Sequence, residues 1–477
     1  MKAPFSPSLT APAEGLRRLI ALLRQDHDFV SVLATDSRGF AVRISQKAKS
    51  VSGETMTTER GYVVRVCRDG RYSEAAFNRF DPDAPGKTAL EIRKELERQF
   101  NVLSRFDRFG PYITPVMPDG ETGLMCEMET GRLPEEEDMG RLIEKLDAVS
   151  REGAGRDGVV DCLVSAQCTH ISKMYLTEKT DMRQSYVYAE GSVAVVASNG
   201  DRTEMAHEGV SGRCGPELFD DMKPVLDKAL RSAGELLGAS RVEPGEYDII
   251  TLPDVTGLIA HEAFGHGVEM DMFVKNRALG ADYIGKHVGS SLVTMHEGAL
   301  CAENVTSYAF DDEGTPAGDV TEIENGILKT GICDALSALR LGVSPTGNGK
   351  RENYAHKVYT RMTNTLFDSG ESTLEEMIAS VDHGYLLSGI ASGMEDPKHW
   401  GIQCIVEKGY EIRDGKLTGK VIAPVVMTGY VPDLLKSVSM VSRDREVFGT
   451  GGCGKGHKEW VKVADGGPCL KARAMLG

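Results

Sequence analysis

The feature that most constrains the fold of this chain is a set of dipeptides with the chemistry of two-residue hairpin turns. They lie beside strand-like segments at four places: Asp69-Gly70, Asn199-Gly200, Asn325-Gly326 and Asp414-Gly415. Such turns require positive φ at their central residues, which asparagine, aspartate and glycine tolerate best. Because these turns join antiparallel neighbours and are spread along the chain, they predict antiparallel sheets rather than a repeated βαβ pattern.

Helical segments alternate with the predicted strands. Thr88 and Glu91 have the spacing of a capping box. We expect the helix they open to run to about Ser104, with a buried face formed by Leu90, Ile92, Leu96, Phe100 and Leu103. Apolar periodicity predicts a second helix over 135–149 and a third that begins at Pro224, and another capping box is formed by Ser372 and Glu375.

A glycine- and proline-bearing stretch at 238–245 divides the chain, and nearly every reactive-looking segment follows it. We therefore predict an α+β protein of two domains, 1–240 and 241–477, each mainly antiparallel sheet with packed helices. The length of 477 residues suits this division, since a domain usually holds about 100–200 residues.

The charge balance excludes one class of ligand. The chain carries 55 Lys and Arg against 71 Asp and Glu, a net charge of −16, whereas nucleic-acid binding requires a basic surface. No run of about 18 apolar residues predicts a transmembrane helix, and the N-terminus lacks the apolar centre of a signal peptide. We therefore expect a cytoplasmic protein without a direct nucleic-acid or membrane partner, whose 10 cysteines are mostly free thiols.

The segment with the clearest chemistry is 261–271, which reads His-Glu-Ala-Phe-Gly-His-Gly-Val-Glu-Met-Asp. The apolar residues before it, 255–260, predict the buried start of a helix. Two histidines with an intervening glutamate on a helix are the arrangement of a zinc hydrolase, with the imidazoles as ligands and the carboxylate as general base. The alternative is a pair of unrelated histidines, one at a helix end and one in the core.

The spacing of the two histidines is unusual. His261 and His266 are five residues apart, not the four of the common His-Glu-x-x-His pattern. On an ideal helix they would point about 140° apart, so they converge only where the helix is widened or broken. Gly265 lowers the cost of such a distortion, and π-type turns often mark functional sites.

A third ligand has to come from elsewhere in the chain. Glu269 and Asp271 lie just beyond the second histidine, and either can ligate the metal or orient an imidazole. Cys453 is another candidate, because the five glycines around it expose its sulfur and Lys455 favours the thiolate. A glycine-rich surface turn with an idle cysteine fits the spacing equally well, and His457 is an alternative ligand.

Several segments together resemble the TldD/PmbA family of metallopeptidases, also called the modulator-of-gyrase family. Segment 261–271 looks like the family's zinc helix, and specifically like that of the TldD type, because the PmbA type lacks the zinc motif. Segment 452–455, together with 465–468, resembles the family's zinc-cysteine segment. Four further segments resemble other blocks of the family, namely 310–316, 323–329, 346–351 and 361–365. The resemblance is strong over 250–477 and diffuse before it.

This resemblance implies a zinc ion held by His261, His266 and Cys453 in the C-terminal domain, with Glu262 as catalytic base. It also implies hydrolysis of short or unfolded peptides, for turnover or maturation, inside a dimer that excludes folded proteins. That dimer is either a homodimer or a heterodimer with a zinc-less homologue.

Other donors are needed for the oxyanion that develops during hydrolysis. Tyr354, His356 and Arg361 are candidates for this substrate-binding role, and the alternative is that they order a loop. The competing function is a non-catalytic peptide-binding or regulatory subunit with a structural metal site, and a metal-dependent amidase acting on small molecules is another. Glu262 argues against a structural site, which has no use for a carboxylate beside an open coordination position.

Overall fold

A computed structural model describes residues 1–105, 113–456 and 459–477 of the chain. Within these ranges, no helix combines the length and the apolar character needed to cross a membrane. The elements form two large sheets with helices packed against them, so the predicted mixture of helices and antiparallel sheet is confirmed.

The first sheet is built from strands in the first 212 residues: β1 (Phe29–Ile44), β2 (Lys49–Ser52), β3 (Arg60–Arg68), β4 (Arg71–Phe77), β5 (Thr122–Glu127), β6 (Val159–Leu176), β7 (Thr180–Ser198) and β8 (Thr203–Gly212). Their order is β4-β3-β1-β6-β7-β5, with β2 beside β1 and β8 beside β7. All these pairs are antiparallel except the parallel pair of β5 with β7.

The second sheet is built from strands after residue 244: β9 (Gly245–Thr251), β10 (Met295–Glu297), β11 (Val320–Glu324), β12 (Ile327–Leu328), β15 (Asn364–Phe367), β16 (His383–Asp396), β17 (Gly401–Arg413), β18 (Lys416–Ile422), β19 (Val425–Tyr430), β20 (Met440–Phe448) and β23 (Ala464–Leu476). Because β9 pairs with both β16 and β23, the strands β23, β19, β17, β16 and β9 close into a ring. Two small ribbons stand apart, namely β13 (Gly349–Lys350) with β14 (Tyr359–Thr360) and β21 (Gly452–Lys455) with β22 (Glu459–Lys462).

The α-helices are α1 (Pro7–Thr10), α2 (Ala13–Leu23), α3 (Pro85–Arg105), α4 (Met139–Ala154), α5 (Lys223–Leu237), α6 (Pro253–Leu258), α7 (Asp271–Val274), α8 (Ala335–Leu341), α9 (Leu374–Ala379) and α10 (Val431–Lys436). In the first sheet, α2 and α3 share a core with β1 and β3, while α4 and α5 share one with β6 and β7. In the second sheet, α6 and the turn after it pack into the main core. The predicted boundary between residues 240 and 241 stays a prediction.

Three of the four predicted turns are two-residue hairpins. Asp69-Gly70, Asn325-Gly326 and Asp414-Gly415 have positive φ at both residues and join paired strands directly. Asn199-Gly200 differs, because the pairing of β7 with β8 closes at Ser198 and Thr203 and leaves a four-residue loop. In that loop the Asn199 side chain accepts from the Asp201 and Arg202 amides, so the asparagine turns the chain by its side chain.

Two predicted helix starts were wrong by a few residues. α3 begins at Pro85 rather than Thr88, and its buried stripe holds Ala89, Ile92, Leu96 and Phe100, whereas Leu90 and Leu103 face solvent. The helix predicted over 135–149 spans 139–154, because Asp138 caps it after a short 3₁₀ turn.

Of the two remaining helix predictions, one is confirmed and one is wrong by one residue. The helix predicted to begin at Pro224 is confirmed, with that proline in its first turn. The second capping box lies one residue later than predicted, at Thr373 and Glu376.

Candidate metal centre

The chain widens its helix at the first histidine. α6 begins after Leu252 with a proline in its first turn, and 259–264 then form a π-helical turn followed by a 3₁₀ turn over 265–268. The Gly265 amide donates to the Ala260 carbonyl, five residues back. Because a π turn closes its hydrogen bonds over five residues, His261 and His266 converge, as their spacing predicted.

Gly265 is needed at this turn for space rather than for backbone freedom. Its φ of −56° is ordinary helical geometry. A Cβ there would overlap Met362 Sδ and lie 3.0 Å from the Ala260 carbonyl oxygen. Gly265 therefore eases the turn by leaving room for Met362 and the Ala260 carbonyl, and not by an unusual φ.

Three side chains from distant parts of the sequence converge in the position of a metal centre. The ligand atoms of His261, His266 and Cys453 all lie within 4.8 Å of one another, and Cys453 Sγ lies 3.3 Å from His266 Nε2. Sulfur and nitrogen ligands of a tetrahedral zinc ion, about 2.3 and 2.0 Å from the metal, are roughly 3.5 Å apart. The donor set and its spacing therefore fit zinc.

Cys453 is buried, with 4% of its surface exposed. The prediction that the surrounding glycines expose its sulfur was wrong, because the ribbon of β21 and β22 folds onto the π turn. Arg361 bonds to the backbone of both strands of that ribbon. Its guanidinium donates to the Cys453 carbonyl at 2.6 Å and to the Glu459 carbonyl at 3.0 Å. His457 lies outside the described residues.

The cysteine is poised as a thiolate. Burial alone raises the pKa of the Cys453 thiol, but His261 and His266 outweigh burial and lower it to about 4. Burial alone lowers the pKa of each imidazole. Cys453 outweighs burial at His261, and Glu269 together with Cys453 outweighs it at His266, so the pKa of each histidine is raised above its ordinary value. The three groups therefore form one charge-coupled cluster, and a deprotonated sulfur is the form that binds zinc.

Glu269 orients the second histidine. Its Oε2 lies 3.0 Å from His266 Nδ1, opposite the nitrogen that faces Cys453. Lys455 Nζ lies 3.0 Å from the same oxygen and 2.7 Å from Asp271 Oδ1. Lys455 is therefore engaged by these two carboxylates, and the imidazoles, not this lysine, favour the Cys453 thiolate. Asp271 is linked to the metal centre by its ion pair with Lys455, which also pairs with Glu269.

Asp465 is a neighbour of the site to which the sequence analysis gave no role, although 465–468 belongs to the segment that resembles the family's zinc-cysteine segment. His261 Nδ1 is buried without a hydrogen-bond partner among the described residues, and Asp465 Oδ2 lies 4.0 Å from it. Burial raises the pKa of the Asp465 carboxyl to about 6, against the opposing effect of His261. A carboxylate behind a ligating imidazole is a common support of zinc sites, and only proximity in space identifies it here.

Glu262 lies between the two histidines. Its Oε1 is 3.9 Å from His261 Nε2 and its Oε2 is 3.8 Å from His266 Nε2. Gly393 packs against it, because a Cβ there would come within 2.7 Å of Glu262 Cβ and Cγ. The carboxylate is thus fixed beside the nitrogen atoms that face the centre.

For the peptide hydrolysis that the family resemblance implies, with Glu262 as base, we expect Gly393→Ala to lower kcat by about 10- to 100-fold without loss of the metal, because the added methyl displaces Glu262. Steady-state kinetics and metal analysis measure both effects. The control is Gly401→Ala, since a Cβ at Gly401 meets no atom within 4 Å. Equal activity of both variants would show that Gly393 does not position the carboxylate.

The centre opens into a cleft of about 720 Å³. Its walls include Glu262, His266 and Cys453, together with β16 residues 391–395. Glu395 in that wall was missed by the sequence analysis; burial raises the pKa of its carboxyl well above the ordinary range.

The three substrate-binding candidates lie apart from these walls. Arg361 is buried behind the cysteine ribbon. His356 faces Glu352 and Glu459, and the Tyr354 ring lies against Gly61 of β3.

Comparison with known proteins identifies the family. The model of the "PmbA/TldA metallopeptidase C-terminal domain" matches residues 244–469. A metalloprotease of Methanothermobacter thermautotrophicus is 31% identical over 343 residues, covering 70% of this chain and 74% of that protein. The chain belongs to the PmbA/TldD family of metallopeptidases. A zinc metalloprotease TldD homolog of Saccharolobus solfataricus is 30% identical over 289 residues, or 60% of this chain and 63% of that protein.

The similarity of fold extends over nearly the whole chain. The crystal structure of a putative modulator of a DNA gyrase from Thermotoga maritima superposes with a TM-score of 0.78. It covers 98% of this chain and 100% of that one at 18% sequence identity. The family membership predicted from the motifs is confirmed, and this member is a metallopeptidase.

Proposed function

We propose that this metallopeptidase is a zinc-dependent peptidase in which His261, His266 and Cys453 hold the metal and Glu262 is the general base. The observation that carries the proposal is the convergence of the three ligand atoms within 4.8 Å beside the Glu262 carboxylate. The TldD homolog named a zinc metalloprotease supports the choice of metal. When bound, zinc supplies Lewis acidity toward a peptide carbonyl and toward water.

Glu262 moves the proton in this mechanism. One of its oxygens accepts a proton from the attacking water, and the same carboxyl then donates it to the nitrogen of the leaving amine. The carboxylate lines the open cleft, so water and a peptide can reach it. Glu269 holds the His266 imidazole in orientation, the Asp465 carboxylate lies 4.0 Å behind His261, and Arg361 donates to the carbonyl of the cysteine ligand.

Short or unfolded peptides are the proposed substrates, because a strand edge borders the centre. β16 pairs with β17 along its length, but β9 pairs with its other edge only at 384–387. Among the described strands, the edge at 390–396 is unpaired, and this segment forms a wall of the cleft. An extended peptide can add to such an edge by backbone hydrogen bonds, which do not depend on the sequence of the peptide.

A mixed peptide library tests the function. Incubated with the zinc-loaded protein and read by mass spectrometry, it should show cleavage at internal peptide bonds that a chelator abolishes and added zinc restores. If the protein binds one equivalent of zinc but cleaves no peptide, the result would instead support the alternative function, a non-catalytic peptide-binding or regulatory subunit with a structural metal site. Dimerisation, as a homodimer or with a zinc-less homologue, is proposed with the function. Tyr354, His356 and Arg361 lie apart from the cleft walls, so they are not proposed as oxyanion donors in this arrangement.

We expect Glu269→Gln to weaken zinc binding by about 10- to 100-fold, because His266 loses the carboxylate that orients it. Competition with a fluorescent zinc chelator measures the affinity, and a thermal melt checks the fold. Glu324→Gln, at an exposed carboxylate on β11, is the matched control. Unchanged zinc affinity in Glu269→Gln would show that Glu269 only neutralises Lys455.

A further inference from the structure

A second cavity lies between the first sheet and the two small ribbons, on the far side of the cysteine ribbon. It measures about 80 Å³, and four aromatic residues form much of its wall, namely Tyr186 and Tyr188 of β7 and Tyr308 and Phe310 of the segment between β10 and β11. Trp460 of β22 lines both this cavity and the cleft of the metal centre. We call it the inter-sheet cavity.

One cation in the wall has no carboxylate partner. Lys173, Arg351 and Lys462 also line the cavity, and they pair with Asp312, Glu74 and Glu190 respectively. Lys350 Nζ donates only to the carbonyls of Met362 at 3.2 Å and Lys462 at 2.7 Å, and no described carboxylate lies within ion-pair distance of it. Burial, with Arg361 nearby, lowers the pKa of the Lys350 ammonium to about 7, against the opposing effects of the more distant Glu297 and Asp312 carboxylates.

A second donor in the wall is also unused. Tyr186 is 5% exposed, and its hydroxyl makes no hydrogen bond to any described residue, whereas the Tyr188 and Tyr308 hydroxyls are bonded.

The carboxylates in the wall are already engaged: Asp311 by backbone amides, Asp312 by Lys173 and the Arg351 amide, Glu59 by the Tyr354 amide and Glu352 by the Trp460 amide. The wall therefore holds an ammonium that is bonded only to neutral carbonyls and a hydroxyl that donates to no described residue.

We propose that the inter-sheet cavity binds a carboxylate of the peptide substrate, with the Lys350 ammonium and the Tyr186 hydroxyl as its donors. A buried ammonium is stabilised by an anionic acceptor, and a carboxylate is the anion that a peptide carries at its C-terminus or on Asp and Glu. The proposal rests on the proposed function for the identity of the ligand as a peptide.

The cavity is within reach of a peptide bound at the metal centre. Lys350 Nζ contacts the Lys462 carbonyl, and Lys462 pairs with Gly452, the neighbour of Cys453. Since paired strands are about 5 Å apart, the ammonium lies roughly 10 Å from the cysteine ligand. An extended chain advances about 3.3 Å per residue. This distance equals about three residues of extended chain, and Trp460 borders both the cleft and the cavity.

Affinity selection of peptides on the zinc-loaded Glu262→Gln protein tests whether the inter-sheet cavity binds a carboxylate. This variant is used because peptide binding can then be measured without cleavage. The probe is an equimolar library of four- to eight-residue peptides, each as the free acid and the C-terminal amide, with Glu or Gln at every position. We expect mass spectrometry to show about tenfold or greater enrichment of the carboxylate form. Enrichment of free acids over amides identifies the terminal carboxylate, and enrichment of Glu over Gln at one position identifies a side chain.

Two variants in the same background assign the site. Lys350→Met should abolish the enrichment, and Tyr186→Phe, which removes only the unbonded hydroxyl, should reduce it at least threefold. Lys416→Met, at an exposed lysine of β18, should leave it unchanged. Equal recovery of carboxylate and neutral forms, or enrichment that survives in both variants, would overturn the proposal. Peptide cleavage by the wild type is read separately, so a failure of the proposed function is distinguishable.

Discussion

Replacing Glu262 by glutamine should lower kcat for peptide hydrolysis by about 10²- to 10⁴-fold, the usual contribution of a general base. Glutamine keeps the shape of the side chain but cannot accept the proton of the attacking water. The three metal ligands are unchanged, so one equivalent of zinc should remain bound. Steady-state kinetics on a peptide selected from the library, together with metal analysis of the same sample, measures both quantities.

The matched control for this substitution is Glu371→Gln, at an exposed carboxylate outside the cleft walls. It should hydrolyse the peptide at the wild-type rate. If Glu262→Gln binds zinc and cleaves as fast as the wild type, Glu262 is not the base, and the mechanism is wrong. If the variant loses zinc, the carboxylate contributes to metal binding instead.

Replacing Cys453 by serine should weaken zinc binding by more than about 100-fold, a larger loss than expected for an orienting residue. The thiolate is the anionic ligand of the set, because His261 and His266 hold the pKa of its thiol near 4. Their own pKa values are raised in return, so zinc displaces protons from the imidazoles rather than from the sulfur. A serine hydroxyl has no comparable anionic form. Peptide hydrolysis at limiting zinc should fall in parallel, and excess zinc should restore part of it.

Cys126→Ser serves as the control for the cysteine variant, because Cys126 is a free, partly buried thiol in the first sheet. It should bind zinc as tightly as the wild type. Full zinc affinity in Cys453→Ser would contradict the ligand assignment and would direct attention to the neighbouring carboxylates Glu269 and Asp465.

The sequence predicted the local geometry of the first two ligands. Histidines five residues apart converge only where the helix widens, and the π turn at 259–264 provides this widening. The hairpin turns also depend only on residues that are neighbours in the chain. Asn325-Gly326, for example, forms the predicted turn with positive φ at both residues. These features depend on neighbours in the chain, which is why they could be predicted from residue types and spacing.

The other parts of the site depend on contacts between distant segments. Gly452 and its neighbouring glycines predicted an exposed thiol, but the ribbon packs on the π turn and buries Cys453. Lys455 lies two residues from the cysteine, yet Glu269 and Asp271 engage it. Asp465 could not be assigned beside His261 from spacing, because about 200 residues of chain lie between them.

Zinc titration of the metal-free protein, with peptide hydrolysis followed at each addition, tests the central claim most directly. The metal centre formed by His261, His266 and Cys453 predicts no cleavage without metal and activity that rises linearly with added zinc. The rise should end at one equivalent per chain. Cleavage by the metal-free protein, or a fully zinc-loaded protein that cleaves no peptide in the library, would contradict the account.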